Sequence, residues 1–192
     1  MLHLQQPEIL RVIRHSIGAF ALVLALIPEP ARSIALEDLK GASLQVRVTY
    51  NMRIRRAEGE FPTQATHVMT FKIDEEGRIT GQVNRTVTTP RGPRTSSHPM
   101  KARIGTPGEP ALGGHGLWLI DGDKLVLLRA FDAGGFKAEI EFKGSGAAMT
   151  CSYRAPFVRE EGKNVRMKQG VVGGPVTILS ATQTSSDCRV SR

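Results

Sequence analysis

The sequence predicts an all-β domain, built either as a single antiparallel β-sandwich or as a small closed barrel. The first observation is that apolar and polar residues alternate from Leu44 to Arg55, which is the pattern of a strand with one buried face. The second is that turn signals recur about every ten residues, a spacing typical of about eight to ten short strands. The third is that helical candidates are few and short.

Each predicted strand is an apolar-rich or alternating segment bounded by turn residues. The strands are expected at residues 44–55, 67–73, 79–83, 117–120, 125–131, 136–142, 149–153, 176–182 and 188–190. A further short strand is expected at 100–104, between two loops. This order suggests consecutive hairpins, which place neighbouring strands antiparallel.

Residues 1–33 predict a secretory signal peptide. A basic segment with Arg11 and Arg14 precedes an uncharged apolar run, and Ala31 and Ser33 supply small residues before a cleavage site. A cut after residue 35 fits the same rule. Because the apolar run is shorter than the roughly 20 residues of a membrane-spanning helix, we expect a cleaved signal and no transmembrane span in the mature chain. The expected location is the bacterial periplasm or the exterior.

Residues 34–192 predict one β-domain with a Pro/Gly-rich basic loop region over 85–116. The chain of 192 residues carries a formal net charge of +8. The domain keeps +7 after cleavage, because the signal contains three basic and two acidic residues. The positive charge therefore belongs to the folded domain and not to the signal.

The two cysteines, Cys151 and Cys188, both lie in the mature domain. An exported protein meets an oxidising compartment, where paired cysteines form disulfides. The spacing has no CxxC motif that would indicate a redox or metal site. We therefore predict a structural disulfide between them.

The motifs of enzymes are scarce, and the sequence predicts no catalytic residue, no metal site and no cofactor. The mature histidines are His67, His98 and His115, and none has metal-ligand spacing. Glu139 and Glu141 share one strand face with lysines, which favours an ion-pair ladder over an acid–base pair. Two alternatives stay open: a lipocalin-like barrel that carries a small apolar ligand inside, and a hydrolase whose site is assembled from distant residues.

The charged residues are distributed unevenly along the sequence, and this is its most unusual feature. No acidic residue occurs between Glu76 and Glu109, and a second basic cluster ends the first strand. If consecutive strands pair, the two clusters share one rim, where like charges raise the local potential. We predict an anion-binding rim made of Arg53, Arg55, Arg56, Arg85, Arg91, Arg94, Lys101 and Arg103. The competing interpretation is that these side chains only protect a sheet edge from pairing.

The expected function is that of a non-enzymatic binding or envelope-associated module. Arginine binds carboxylate and phosphate groups well, so the candidate partners are an acidic glycan, an anionic lipid headgroup and an acidic protein surface. Nucleic acid is not expected, because the basic stretch lacks the aromatic residues that stack on bases.

Several short motifs occur together in this chain. They are Leu39-Lys40-Gly41, Glu76-Gly77-Arg78-Ile79, Phe131-Asp132-Ala133-Gly134-Gly135 and Ser185-Ser186-Asp187-Cys188. With the signal and the late cysteine pair, they resemble small exported β-proteins of unassigned function from rhizobial-type bacteria. The resemblance implies export and a β-fold and assigns no catalytic residue.

Overall fold

The computed structural model describes residues 33–105, 116–128, 134–159, 165–167 and 175–192. The predicted signal peptide lies outside these ranges except for Ser33. The strands are β1 (Ser43–Arg56), β2 (Gly59–Ile73), β3 (Arg78–Thr89), β4 (Gly92–Gly105), β5 (Gly116–Asp121), β6 (Lys124–Leu128), β7 (Gly134–Lys143), β8 (Thr150–Arg154), β9 (Phe157–Arg159), β10 (Val165–Met167) and β11 (Val176–Ser191). Two short 3-10 turns cover Leu36–Asp38 and Gly146–Ala148.

The strands form one nearly closed, barrel-shaped sheet, which confirms the predicted all-β class. The order across the sheet is β10-β11-β1-β2-β3-β4-β5-β6-β7-β8, with β9 paired to β7. All pairs are antiparallel except β4 and β5, which run parallel. The strands are more numerous than expected, and β1 to β4 and β11 are long rather than short.

The alternation predicted for β1 is confirmed by burial. Leu44, Val46, Val48 and Tyr50 are at most 2% exposed, whereas the residues between them point outward. Directly opposite residues on paired strands share a face, so the register of β1 fixes the inward positions of its neighbours. Phe71 on β2 is opposite Leu44, for example, and is buried with it.

Aromatic rings fill much of the barrel interior. The ring of Tyr50 lies 5.6 Å from that of His67 and 5.0 Å from that of Phe136, and Phe136 lies 5.2 Å from Phe157. These four rings come from β1, β2, β7 and β9. Burial raises the pKa of the Tyr50 hydroxyl far above its ordinary value, so this phenol stays neutral inside the barrel.

The segment before β1 closes one end of the barrel. The N–H of Ile34 donates to the carbonyl oxygen of Gly122 in the turn between β5 and β6, at 2.8 Å. Leu39 and Ala42 are fully buried beneath the sheet. The 3-10 turn at Leu36–Asp38 directs these apolar side chains into the interior.

The loop region predicted over 85–116 is corrected by the structure. The first residues of this region belong to the end of β3, and Gly92–Gly105 form one long strand, β4. Pro93 and Pro99 suggested a loop, but an edge strand tolerates proline because no neighbour needs its N–H. Among the described residues, β5 pairs only with the last part of β4, so the rest has β3 alone as its partner. Residues 106–115 lie outside the described ranges.

The gap between β8 and β11 is bridged by side chains. The predicted disulfide is confirmed: Cys151 on β8 is bonded to Cys188 on β11 with an S–S distance of 2.06 Å. The Gln183 side chain donates from Nε2 to the carbonyl of Tyr153 (3.3 Å), and its Oε1 accepts the N–H of Ala155 (2.8 Å). These bonds satisfy backbone groups that an open strand edge leaves exposed.

Gly81 allows β3 to approach β2 closely. A Cβ at this inward position would lie 2.1 Å from the carbonyl oxygen of Thr70 and 2.6 Å from the Cα of Phe71. Both are backbone atoms and cannot rotate away. Any larger residue must therefore separate two strands that form part of the core.

We predict that replacing both cysteines (Cys151→Ala/Cys188→Ala) lowers the free energy of unfolding by roughly 3–4 kcal/mol, because the crosslink restricts the unfolded chain. The two cysteines are 37 residues apart. Urea unfolding followed by tryptophan fluorescence measures the change. Dithiothreitol should destabilise the natural protein similarly and leave the variant unaffected. Equal stability of both proteins would show that the crosslink does not restrict the unfolded chain.

We also predict that Gly81→Ala destabilises the fold by about 1–3 kcal/mol, the range for an added methyl group that forces the backbone to shift. The matched control is Thr80→Ala, whose exposed side chain lies on the other face of the same strand. Its expected cost is below about 1 kcal/mol. Thermal unfolding of the two variants measures the difference. An unchanged melting temperature for Gly81→Ala would contradict the close approach of β3 to β2.

Candidate functional site

The chain brings four of the predicted basic residues to one end of the barrel. The turn between β1 and β2 and the turn between β3 and β4 lie at the same end, because these neighbouring strands are antiparallel. We call this the hairpin end. Its basic residues are Arg53, Arg55 and Arg56 on the first hairpin and Arg91 on the second.

The other four predicted residues do not belong to this cluster. Arg94 lies near the hairpin end, but its register puts it on the inner face of β4. Arg85 is also inward-facing and is half-buried in the middle of β3. Lys101 and Arg103 lie towards the opposite end of β4, where Arg103 stands opposite Arg78. The predicted set is therefore not one continuous rim.

Glu60 partly neutralises the hairpin end. Its two carboxylate oxygens bind the Arg53 guanidinium at 3.0 Å and that of Arg55 at 2.6 Å. Hydrogen bonding from Arg55, with the charges of both arginines, lowers the pKa of the Glu60 carboxyl below its ordinary value. Glu58 adds a second carboxylate in the same turn. The first hairpin tip thus holds three cations and two carboxylates.

The positive charge of the acid-free stretch after Glu76 is also partly neutralised by carboxylates that precede it. The Arg78 guanidinium binds Asp74 at 2.6 Å and Glu76 at 2.7 Å, both in the preceding turn. Its hydrogen bonds lower the pKa of the Asp74 carboxyl. Charge counted along the sequence therefore exaggerates the positive potential on this side of the barrel.

An open groove of about 600 Å³ runs across the outer face of the sheet next to the hairpin end. Its polar side chains point outward from four adjacent strands, since their registers place them in two neighbouring rows. The outward polar residues of the lining are Asn51, Arg53, Gln64, Thr88, Ser180 and Thr182, and Thr63 and Thr89 also line the groove. Met52, Pro62 and Pro90 contribute apolar surface to the lining.

The groove presents both donors and acceptors of hydrogen bonds. Amides and hydroxyls offer both, and the guanidinium of Arg53 offers several donors of which Glu60 uses one. The Gln64 Nε2 donates to the Asn51 Oδ1 at 3.4 Å, which restrains both amides. This set matches a ligand that carries hydroxyl groups and a carboxylate or phosphate.

The histidines do not form a recognisable catalytic group among the described residues. His67 is half-buried against Tyr50, and His115 lies outside the described ranges. The Nε2 of His98 lies 3.1 Å from the Oγ of Ser96, but both belong to the part of β4 that has no acidic residue nearby in sequence. Within the described ranges, no group of three His, Cys, Asp or Glu side chains could hold a metal ion.

The ion-pair ladder predicted on β7 is confirmed. Lys137 binds Glu139 at 2.8 Å, and Lys143 binds Glu141 at 3.4 Å. Hydrogen bonding from Lys137 lowers the pKa of the Glu139 carboxyl, which remains ionised near neutral pH. The arrangement therefore pairs each of the two carboxylates with a lysine on the same strand.

Sequence reasoning missed the neutral residues of the groove. Asn51 and Gln64 are outward positions of predicted or observed strands, but their neighbours Ser180 and Thr182 come from β11, more than a hundred residues later. Only the pairing of β1 with β11 unites them. The sequence does show hydroxyl and amide side chains at outward positions of several strands. Only the register of the paired strands shows that these side chains lie side by side.

Comparison with family models, with curated proteins and with solved structures finds no match for this chain. Among the described residues, none of the helical segments has the length and apolar character needed to cross a membrane.

We predict that Arg55→Ala raises the pKa of Glu60 towards the ordinary value of 4.5, because the largest contribution to its lowered pKa is lost. An NMR pH titration of the carboxyl carbon measures this. The ion pair stabilises the fold above the ordinary pKa, and that contribution disappears as the pH falls through the lowered one. Arg47→Ala, also on the outer face of β1, is the control and should leave Glu60 unchanged. An unshifted Glu60 in Arg55→Ala would disprove the ion pair.

Proposed function

We propose that this chain is an exported, non-enzymatic β-domain that binds an acidic glycan at its hairpin end. The observation that carries the proposal is the outer groove, which combines Arg53 with hydroxyl and amide side chains from four strands. Arginine recognises the carboxylate of a sugar acid, and the neutral groups recognise its hydroxyls. Arg55, Arg56 and Arg91 extend the positive potential beyond the groove.

The export in this proposal is supported by the disulfide. A bond between Cys151 and Cys188 is favoured in the periplasm or outside the cell and is rare in the cytosol. The sequence of residues 1–33 predicts a secretory signal peptide that would direct this export. Measuring the N-terminus of the protein recovered from its native host would test cleavage at residue 33 or 35.

A glycan fits the groove better than the other two predicted partners. An anionic membrane surface is recognised by clustered cations with apolar or aromatic side chains, and the groove has one arginine and neutral polar groups. A protein partner is normally held by a cluster of large apolar or aromatic anchors, and the apolar residues of the groove lining are Met52 and two prolines. The lipid surface remains an outcome of the experiment below.

The two other hypotheses have weaker support. A carrier needs an interior space, and the rings of Tyr50, Phe136 and Phe157 lie in tilted contact with one another inside the barrel. A hydrolase needs an oriented nucleophile, and the contact between Ser96 and His98 is exposed on a strand without a carboxylate. We therefore retain the binding function as the proposal.

The test is calorimetric titration of the mature domain with polygalacturonate at low and at physiological ionic strength. We expect binding that weakens with salt. The variant Arg53→Ala/Arg91→Ala should bind roughly two- to fivefold more weakly per arginine lost, as for exposed ion pairs.

Lys101→Ala is the matched control, because it removes one predicted cation from the opposite end of β4. Its binding should equal that of the natural protein. Equal losses in Lys101→Ala and in the arginine variant would refute the assignment to the hairpin end. Absence of binding to polygalacturonate with binding to phosphatidylglycerol vesicles would replace the glycan by a lipid surface.

A further inference from the structure

One edge of the sheet is open along most of β4. Residues 102–105 of this strand pair with β5, whereas residues 92–101 have β3 as their only partner among the described strands. The register between β3 and β4 is continuous, without the bulge that often blunts an exposed edge. We call residues 93–101 the open edge of β4. Its length is about 27 Å, enough for a further strand to pair along it.

One hydrogen bond shows which backbone groups the open edge presents. The N–H of Ile104 donates to the carbonyl oxygen of Gly77, the residue before β3, at 2.8 Å. Successive N–H groups of a strand point to opposite sides. The even-numbered residues of β4 therefore point their N–H groups to β3, and the odd-numbered residues point theirs away from it. The open edge thus offers the N–H groups of Thr95, Ser97 and Lys101.

The two prolines of β4 agree with this assignment. Pro93 and Pro99 are odd-numbered, and a strand tolerates proline where no neighbour needs its N–H. Their carbonyl groups, like those of Thr95 and Ser97, are acceptors on the side away from β3. All five odd-numbered residues from Pro93 to Lys101 are exposed, so the open edge is accessible from solvent.

The open edge lies in a region of positive charge. Arg94 and Lys101 are exposed, and no described carboxylate forms an ion pair with either. Neither β3 nor β4 contains an acidic residue. The carboxylates of the turn before β3, Asp74 and Glu76, are bound to Arg78. Backbone groups suited to strand pairing are therefore combined here with cations that lack a counter-charge from their own sheet.

These features disfavour a second copy of the chain as the occupant of the open edge. Pairing two such edges would add the cations of one copy to those of the other without adding a carboxylate, and like charges on neighbouring strands repel. The prolines also remove two of the five edge donors from each copy. Proline and cationic side chains are common protection against such self-pairing. A strand that carries carboxylates is instead attracted by the same cations.

We infer that an extended acidic segment of a partner protein binds along the open edge of β4 as an additional strand. Its backbone accepts hydrogen bonds from the N–H groups of Thr95, Ser97 and Lys101, and main-chain pairing of this kind supplies affinity. Its carboxylates bind Arg94 on the inner face of the sheet and Lys101 on the outer face. The inference goes beyond the proposed glycan site, because the ligand class differs and Lys101 lies outside the groove.

The first experiment follows amide hydrogen exchange of the protein by NMR. In the free protein, Thr95 and Ser97 should exchange faster than Arg94 and Ser96, whose N–H groups point to β3. A capped nine-residue peptide of alternating threonine and glutamate should slow Thr95 and Ser97 by roughly tenfold near saturation. Salt should weaken the binding. The same peptide with every backbone amide N-methylated keeps its charge but donates no backbone hydrogen bond, and it should bind more weakly.

Two substitutions test the backbone contact and the charge separately. Ser97→Pro removes an edge N–H that β3 does not use, and it should weaken peptide binding roughly threefold to tenfold. Ser97→Ala is the matched control, because it removes the same hydroxyl and keeps the N–H. Lys101→Ala should weaken peptide binding roughly two- to fivefold, as for exposed ion pairs. Ser97→Pro and Lys101→Ala should both bind polygalacturonate normally, which separates this inference from the proposed function.

Four results would overturn the inference. The first is slow exchange of Thr95 and Ser97 in the free protein, which would show that the edge is already covered. The second is equal binding, or no binding, of the two peptides. The third is equal peptide binding by Ser97→Pro and Ser97→Ala. The fourth is a dimer in sedimentation experiments that Ser97→Pro dissociates, which would assign the open edge to a second copy of the chain.

Discussion

Closure of the sheet between β8 and β11 is the constraint on which the rest of this structure depends. Side chains, not a backbone ladder, join the two strands in the described residues: the Cys151–Cys188 bond at one level and Gln183 at another. A shift in register beside Thr49, where β11 contains the additional residue Thr184, accompanies the inward placement of Gln183. The last strand of the domain is thereby fixed between β1 and β8.

This placement of β11 determines the shape of the outer face. With β11 beside β1, five long strands form a broad outer face, while the shorter strands β5 to β8 complete the barrel. The groove crosses this face and takes Ser180 and Thr182 from β11. On the inner side of the same strands, the side chains of Val46, Val48 and Tyr50 are buried in the core. Core packing therefore holds these strands in place and supports the geometry of their outer side.

The sequence predicted local features well and long-range ones poorly. The alternation in β1, the disulfide and the ion pairs of β7 follow from residue type, spacing and compartment, and all three are confirmed. The long strand β4 was mistaken for a loop because Pro93 and Pro99 disfavour strands except at edges. The sequence could not show that Glu60 binds both Arg53 and Arg55, or that β11 pairs with β1, since both depend on strand register.

Chemical-shift mapping of backbone amides with a short galacturonate oligosaccharide tests the central claim most directly, because it locates the ligand without any substitution. The account predicts shifts at the hairpin end and along the groove, at residues such as Asn51, Gln64 and Thr88, and none in β5 to β8. Shifts confined to β5–β8, or to inward-facing residues such as His67 and Phe136, would contradict the proposed binding surface.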